Sequence, residues 1–386
     1  MAFFVGRDRE ARRAYGFDEI ALVPGAVTVN PEEVDITTRI GPLKLEIPFF
    51  ASAMDGVVDA KFAVAMGKLG GMAVLNLDGI HSRYENVEEV YAKIAAAPPE
   101  AATELVQKLY KEPIKEKLIA KRVKEIKAGK VKAAISCIPQ NAERFSHVAQ
   151  EAGADLFVCQ STVTSVRHVA TKYKTVDLRK LVKGLKIPVV VGNTVSFDAC
   201  VELFEIGIAG ILVGVGPGAA CTSRGVLGIG VPQVTATVDC AAARDYHYKR
   251  TGKYISIITD GGMNLGGEIC KAFASGADAV MVGSAFARSK EAPGRGYHWG
   301  MATPHHNLPR GTRIHVGTTG TLEEILYGPA RTDDGTQNLV GALRTCMGTV
   351  GAMNIKELQQ TEIVIAPAIQ HEGKIFQKAQ RVGMGK

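Results

Sequence analysis

The chain has 386 residues, 46% hydrophobic and 22% charged, with a formal net charge of +7. That composition lies near the soluble globular average and excludes disorder, collagen and coiled coil as overall classes; no run of about 18 apolar residues could span a membrane. Segment 106–132 holds ten Lys/Arg and three Glu. It therefore carries the whole excess of charge, and the remainder is formally neutral, which argues against a nucleic-acid binder. The segment reads as a solvated helical face. Seven cysteines (Cys137, Cys159, Cys200, Cys221, Cys240, Cys270 and Cys346) form no CxxC pair. An odd count in a long chain points to a reducing compartment rather than a disulfide scaffold or zinc ribbon. The N-terminus, MAFFVGRDREARR, has no apolar core followed by a cleavage site, so a cytoplasmic protein is expected.

Eight short runs rich in Val, Ile, Phe and Ala read as strands buried on both faces. In chain order they are IPFFASAM (47–54), GMAVLN (71–76), KAAISCI (132–138), ADLFVCQS (154–161), IPVVVGN (187–193), AGILVGVG (209–216), ISIITDGG (255–262) and ADAVMVGSAF, which begins at Ala277. Helical patterns lie between them: DAKFAVAMGKLG, NAERFSHVAQEAG, SFDACVELFEIG and LGGEICKAFASG. The last three end in Gly, a helix C-cap signal. Strands alternating with helices predict a parallel sheet, and eight βα units in about 250 residues predict a (β/α)8 TIM barrel. Strand counting alone leaves a doubly wound open sheet as the alternative. Two gaps are long. Segment 77–131 is predicted to be an accessory helical insertion after strand 2. Segment 217–254 is predicted to be a Gly-rich loop, then a helix from about Pro232 to Tyr248. With a C-terminal extension over 313–386, the whole chain reads as one catalytic barrel domain.

In a parallel barrel, functional residues sit at the C-terminal ends of the strands. That rule selects Ser52, Met54 and Asp55 after strand 1, Gln160, Ser161 and Thr162 after strand 4, and Asn193 after strand 5. It also selects the loop GVGPGAACTSRG (214–225) after strand 6, Asp260-Gly261-Gly262 after strand 7 and Gly283-Ser284 after strand 8. The glycine turns suit close approach of a phosphate, although a plain tight turn uses the same residues. Cys221 sits on a Gly-Pro loop outside any periodic core pattern, where a thiolate could serve as nucleophile. The chain lacks GxGxxG after its first strand, GxxxxGK[ST], HExxH and GxSxG, so a conventional Rossmann cofactor domain is not indicated.

These residues resemble the IMP dehydrogenase / GMP reductase family over most of the chain. The resemblance is carried by GFDEIALVPG (16–25), SAMDGVVDAKFAVAMGKLGGMAVL (52–75), VVVGN (189–193) and LVGVGPGAACTSRGVLGIGVPQVTA (212–236). ITDGG, ADAVMVGSAFA and GALRTCMGTVGAMNIKELQ follow. It implies a barrel enzyme that binds a purine nucleotide monophosphate, GMP or IMP. Cys221 matches the nucleophile that forms a thioimidate at C2, with Thr222 and Ser223 beside it. NADPH or NAD exchanges hydride with that carbon. Asp260 matches the carboxylate on the ribose hydroxyls. Gly262, Gly283 and Ser284 match phosphate positions, and Ser52, Met54, Asn193 and Gly218 match the nucleotide lining. Gly300-Met301 matches the base contact, and Tyr297 lies near a phosphate-contacting tyrosine, one residue out of step. Gln160, Ser161 and Thr162 fall at the nicotinamide ribose. The family also implies a homotetramer or octamer, and a potassium ion on the carbonyls of Gly216, Gly218 and Cys221.

The departures separate the two activities. Ala219 stands where relatives carry Ser, Ser223 where they carry Thr, Gln160 where they carry Asp, and Arg310 where a catalytic Glu precedes Gly311. The regulatory CBS pair that many dehydrogenases insert after strand 2 is replaced by the basic helical segment. Dehydrogenases activate water with an Arg-Tyr pair on a long flap after strand 8. Here residues 288–310 alone separate VGSAFA from GTRIHV, and no Arg-Tyr dipeptide occurs among them. GMP reductase is therefore the favoured expectation and IMP dehydrogenase the alternative, with His305 and His306 as candidate proton donors. A nucleotide-binding regulator with decayed catalysis is a further alternative.

Overall fold

Each of the eight apolar runs forms a strand: β1 Phe49–Ala51, β2 Met72–Asn76, β3 Ala134–Cys137, β4 Leu156–Gln160, β5 Val189–Thr194, β6 Gly210–Val213, β7 Ser256–Asp260 and β8 Ala279–Val282. The structure is a computed structural model and describes residues 3–171, 175–300, 313–367 and 372–383. The strands are parallel in sequence order, and the sheet closes where β8 pairs with β1, Val280 facing Phe49 and Val282 facing Ala51. This is a (β/α)8 barrel, and the open-sheet alternative is excluded.

Side chains of a strand alternate between faces, which divides each run between two cores. Phe50, Val74, Leu156, Val158, Val190, Leu212, Ile258 and Met281 meet in one cluster inside the barrel. Their neighbours Phe49, Leu75, Ile135, Phe157, Val191, Ile211, Ile257 and Val280 join the larger core between strands and helices. Ile40 and Leu45, from the ribbon Thr38–Ile40 with Leu43–Leu45, join the inner cluster. Their neighbours across the ribbon's turn and the start of β6, Gly41 beside Ala209 and Ile40 beside Gly210, put this plug at the strands' N-terminal ends.

The helices run in order α1 Ala60–Lys68, α2 Val87–Ala96, α3 Pro99–Leu109, α4 Glu116–Ala128, α5 Pro139–Glu151, α6 Leu178–Gly184 and α7 Phe197–Phe204. They continue with α8 Ser223–Leu227, α9 Gln233–Thr251, α10 Gly266–Ala274, α11 Ser284–Ala287, α12 Leu322–Tyr327, α13 Leu339–Val350 and α14 Ile355–Leu358. Asp59 caps α1 by accepting from the Phe62 N–H at 2.6 Å. The long helix after strand 6 ends at Gly252, in the left-handed conformation (φ 69°) that favours glycine.

Segment 77–131 divides in two. Helix α4 buries Ile119, Val123 and Ile126 in the main core, packed against α1 and α5. It occupies the place of the ordinary barrel helix between β2 and β3, so it is not accessory. Within this segment α2 and α3 are the helices that exceed the eightfold pattern, and they build a small core of their own with Trp299.

At the plugged end, Asp278 and Arg244 form a buried ion pair, Arg244 Nη1 to Asp278 Oδ2 at 3.2 Å. The same carboxylate accepts from Lys356 Nζ at 2.5 Å, Tyr254 Oη at 2.7 Å and the Ile257 N–H at 2.8 Å. Burial alone would push this carboxyl up, but Arg244 and Lys356 outweigh it and hold it below the ordinary range. Lys356 lies on α14, so the cluster ties the C-terminal helices to the barrel. Asp278→Ala should therefore cost about 3–5 kcal/mol of stability, because it leaves buried Arg244 with only the exposed Asp245 carboxylate as an ion-pair partner among the described residues. Its folded value is depressed, so the contribution is present above the unfolded value of about 3.9 and is lost as pH falls through the lower folded value. Denaturant titration of both proteins at neutral and acid pH measures this, and a difference that does not shrink in acid would contradict it.

Candidate active site

Two loops are forced together at the C-terminal rim by small residues. Gly214, after β6, has φ 144°, and a Cβ there would lie 2.4 Å from the Asp260 carbonyl oxygen. Buried Gln233, at the start of α9, donates from Nε2 to the carbonyls of Val213 at 2.7 Å and Asp260 at 3.0 Å. One carboxamide thus holds the ends of β6 and β7 side by side. Gly261 and Gly262, with φ of 83° and 79°, turn the chain after β7 against Pro217. The Gly-Pro loop and the Asp-Gly-Gly turn therefore pack on each other and face one cavity of about 470 Å³.

Most residues singled out by the strand-end rule line that cavity. Ser52, Met54, Gln160, Ser161, Thr162, Asn193, Gly216, Gly218, Cys221, Thr222, Ser223, Asp260, Gly262, Gly283 and Ser284 all do so, as does Gly300, which the family resemblance added. Cys221 alone among the seven cysteines, all described, is exposed; five are buried and Cys346 is half-buried. Its N–H donates to the Gly218 carbonyl at 3.0 Å, and its thiol lies 3.4 Å from the hydroxyl of buried Ser223. Gly216, Gly218 and Cys221 share one rim of the cavity. Among the described residues no group of three His, Cys, Asp or Glu could hold a metal ion.

Asp260 is the electrostatic centre. Its Oδ2 accepts from Asn193 Nδ2 at 2.8 Å and Gln160 Nε2 at 3.1 Å, and Gln160 also donates to Asn193 Oδ1 at 3.0 Å. Burial pushes its carboxyl up to about 6, although the two carboxamides draw it down. Among the described residues no cation is bonded to it, so a carboxylate near neutrality stays available to further hydroxyl donors. Gln160, expected at a cofactor, directs its nitrogen to this cluster instead. Ser161 likewise uses its hydroxyl within its own turn, donating to the Val163 carbonyl at 2.8 Å.

Two expected residues are not among those lining the cavity: Asp55, which is fully buried, and Tyr297. Strand Tyr297–Trp299 pairs antiparallel with Arg313–His315, and alternation turns 297 and 299 away from the cavity. Tyr297 packs instead under the Arg313 guanidinium, 4.3 Å from its ring centroid. His298 lines the cavity in its place, with Nε2 3.1 Å from Ser284 Oγ; burial lowers this imidazole to about 4, so it is neutral. Met301, with His305, His306, Arg310 and Gly311, lies outside the described residues. The ends of β2 and β3 add residues that the sequence reading passed over: Asn76, Asp78, Arg83, Gln140 and Asn141. The strand-end rule would have found Asn76 had it been applied to strand 2. Asp78 accepts from the Ile138 N–H at 2.7 Å and from the Asn141 carboxamide, which joins the two loops.

Comparison with known proteins agrees with this geometry. The IMP dehydrogenase / GMP reductase domain profile matches residues 14–375. An uncharacterized oxidoreductase of Mycobacterium tuberculosis is 38% identical over 370 residues, 94% of this chain and 99% of its own. An inosine-5'-monophosphate dehydrogenase of Cryptosporidium parvum is 33% identical over 89% of each chain. The crystal structure of an IMP dehydrogenase/GMP reductase-like protein from Corynebacterium glutamicum superposes with a TM-score of 0.89 at 33% identity, covering 94% of this chain and 97% of that one. The barrel, its rim and these matches together establish that the chain belongs to the IMP dehydrogenase / GMP reductase family of oxidoreductases.

Proposed function

We propose that the chain acts at C2 of a purine nucleoside monophosphate, with Cys221 as nucleophile and a nicotinamide dinucleotide as hydride carrier. The observation that carries this reading is the exposed Cys221 thiol in one cavity with the Asp260–Asn193–Gln160 cluster. A buried carboxylate suits the paired hydroxyls of a ribose. The glycine turns at 261–262 and 283–284 leave backbone room for a phosphate. Ser161, Thr162, Gln140 and Asn141 line the same cavity and would hold the dinucleotide, NADPH or NAD. Potassium on the carbonyls of Gly216, Gly218 and Cys221, a homotetramer or octamer, and a cytoplasmic location belong to the same reading.

For the direction of reaction, reduction of GMP comes first. Trp299 pairs with Arg313, so no more than residues 300–312 separate the two positions in sequence. A stretch so short, with no Arg-Tyr pair, offers little to activate a water. The Cys221 thiolate adds to C2, forming a carbon–sulfur bond, and the C2 amino group leaves as ammonia after accepting a proton. Bound reduced nicotinamide supplies one hydride to C2. The carbon–sulfur bond then breaks, releasing IMP and the thiolate. Thr222 and Ser223 stand beside the thiol to relay the proton; neutral His298 is a poor source of one. Oxidation of IMP is the second reading, favoured by relatives named as IMP dehydrogenases in Cryptosporidium parvum and Methanocaldococcus jannaschii.

Steady GMP-dependent oxidation of NADPH, with one ammonia per turnover, is the expected result. Sustained formation of XMP from IMP and NAD would overturn the reductive direction and establish the oxidative one. Cys221→Ala should abolish turnover in either direction while the nucleotide still binds; retention of more than a few per cent of activity would remove Cys221 from the chemistry. Asp260→Ala should weaken nucleotide binding by about 1.5–3 kcal/mol. Because the Asp260 carboxyl titrates near 6, the affinity gap between wild type and Asp260→Asn should close as pH falls through that value. Comparing the two proteins cancels titration of the nucleotide's own phosphate, whose second pKa is also about 6. A gap independent of pH would place the ribose elsewhere.

A further inference from the structure

Helices α2 and α3 bury Val90, Tyr91, Ile94 and Val106 around Tyr110 and Trp299, apart from the main core. A chain of hydrogen bonds runs through this cluster. Trp299 Nε1 donates to Tyr110 Oη at 2.9 Å, and Tyr110 Oη donates to Asp55 Oδ2 at 2.5 Å. Asp55 Oδ2 also accepts from the Ile80 N–H at 2.6 Å, and Tyr91 Oη donates to the Asp55 carbonyl at 2.7 Å. Asp55 is fully buried and Trp299 nearly so. Both ends of the chain adjoin the cavity. Asp55 follows Met54, and Trp299 stands between His298 and Gly300, all three neighbours being lining residues. The Tyr110 hydroxyl therefore joins the loop after β1 to the strand 297–299. Fixing Trp299 on the outer face of that strand fixes His298 and Gly300 on the inner one.

We infer that α2 and α3 brace the wall of the nucleotide site formed by Met54 and residues 298–300, and that Tyr110 is the positioning residue through which they act. The inference rests on the reading of the cavity as a purine nucleotide site. The basic charge of the segment is not part of the brace; its lysines lie on the outside, as Lys117 and Lys121 do against Glu85.

Tyr110→Phe removes one hydroxyl and keeps the ring. Trp299 is the only tryptophan in the chain, so its emission reports on the brace directly. Tyr110→Phe should shift that emission in the free protein and raise the Kd for GMP and for IMP at least fivefold, read by calorimetry. Alkylation of Cys221 by iodoacetamide should keep its wild-type rate. Trp299→Phe should weaken nucleotide binding to a similar degree, and the double variant no further, because the two changes remove the same bond. Tyr84→Phe, which breaks only the bond to the Leu109 carbonyl within the same segment, should leave nucleotide binding unchanged. If Tyr110→Phe binds nucleotide as wild type does, the brace is overturned while the site reading stands. If Tyr110→Phe does not fold, Trp299→Phe decides by the same measurement. If wild-type protein binds neither GMP nor IMP, the site reading fails and the brace with it.

Discussion

Closure of the sheet between β8 and β1 is the constraint on which the rest depends. The Ser52 N–H, one residue beyond the last paired position of β1, donates at 3.0 Å to the carbonyl of Val282, the last paired position of β8. In an open sheet, Ser52 and Met54 would stand at one edge and Gly283 and Ser284 at the other. Closure instead sets them so close that a Cβ on Gly283 would lie 3.2 Å from Met54 Sδ. Parallel strands then point every C-terminal end to one rim, and the Gly-Pro loop and the Asp-Gly-Gly turn become neighbours despite the long helix between them.

The two ends of the barrel use aspartate in opposite ways. Asp278, at the plugged end, is saturated by Arg244, Lys356, Tyr254 and a backbone N–H, and its carboxyl is held below the ordinary range. Asp260, at the open rim, is bonded among the described residues through neutral carboxamides, and burial raises it to about 6. The first arrangement fixes structure and leaves nothing over. The second keeps a partly desolvated acceptor facing a cavity, the kind of perturbed group that gathers at functional sites. A cation on Asp260 would stabilise the carboxylate and occupy the lone pairs that a ligand's hydroxyls need.

The strands were legible because each run is apolar on both faces and is punctuated by Gly, Pro or Asn. The same pattern located the rim, and with it Cys221, Asn193, Asp260 and Gly283. Tyr297 was misplaced because a one-residue step in a strand reverses its face, and short ribbons carry little sequence signal for register. Helix α4 reads as insertion in the sequence because its seven charged residues mask the stripe Ile119, Val123 and Ile126 of a normal amphipathic barrel helix. The Trp299–Tyr110–Asp55 chain joins residues far apart in sequence, and no local motif announces it. Gln160 could be read as a strand-end polar residue, but its partner Asp260 lies a hundred positions away and only barrel closure brings them together.

The central claim is that Cys221 bonds covalently to the purine during turnover. Its direct measurement is mass spectrometry of protein quenched in acid during reaction with GMP plus NADPH and, separately, with IMP plus NAD. A nucleotide mass on the peptide carrying Cys221, present in at least one mixture and absent from Cys221→Ala, is the predicted result. Turnover at full rate with every cysteine unmodified, or with the adduct on another residue, would contradict the account.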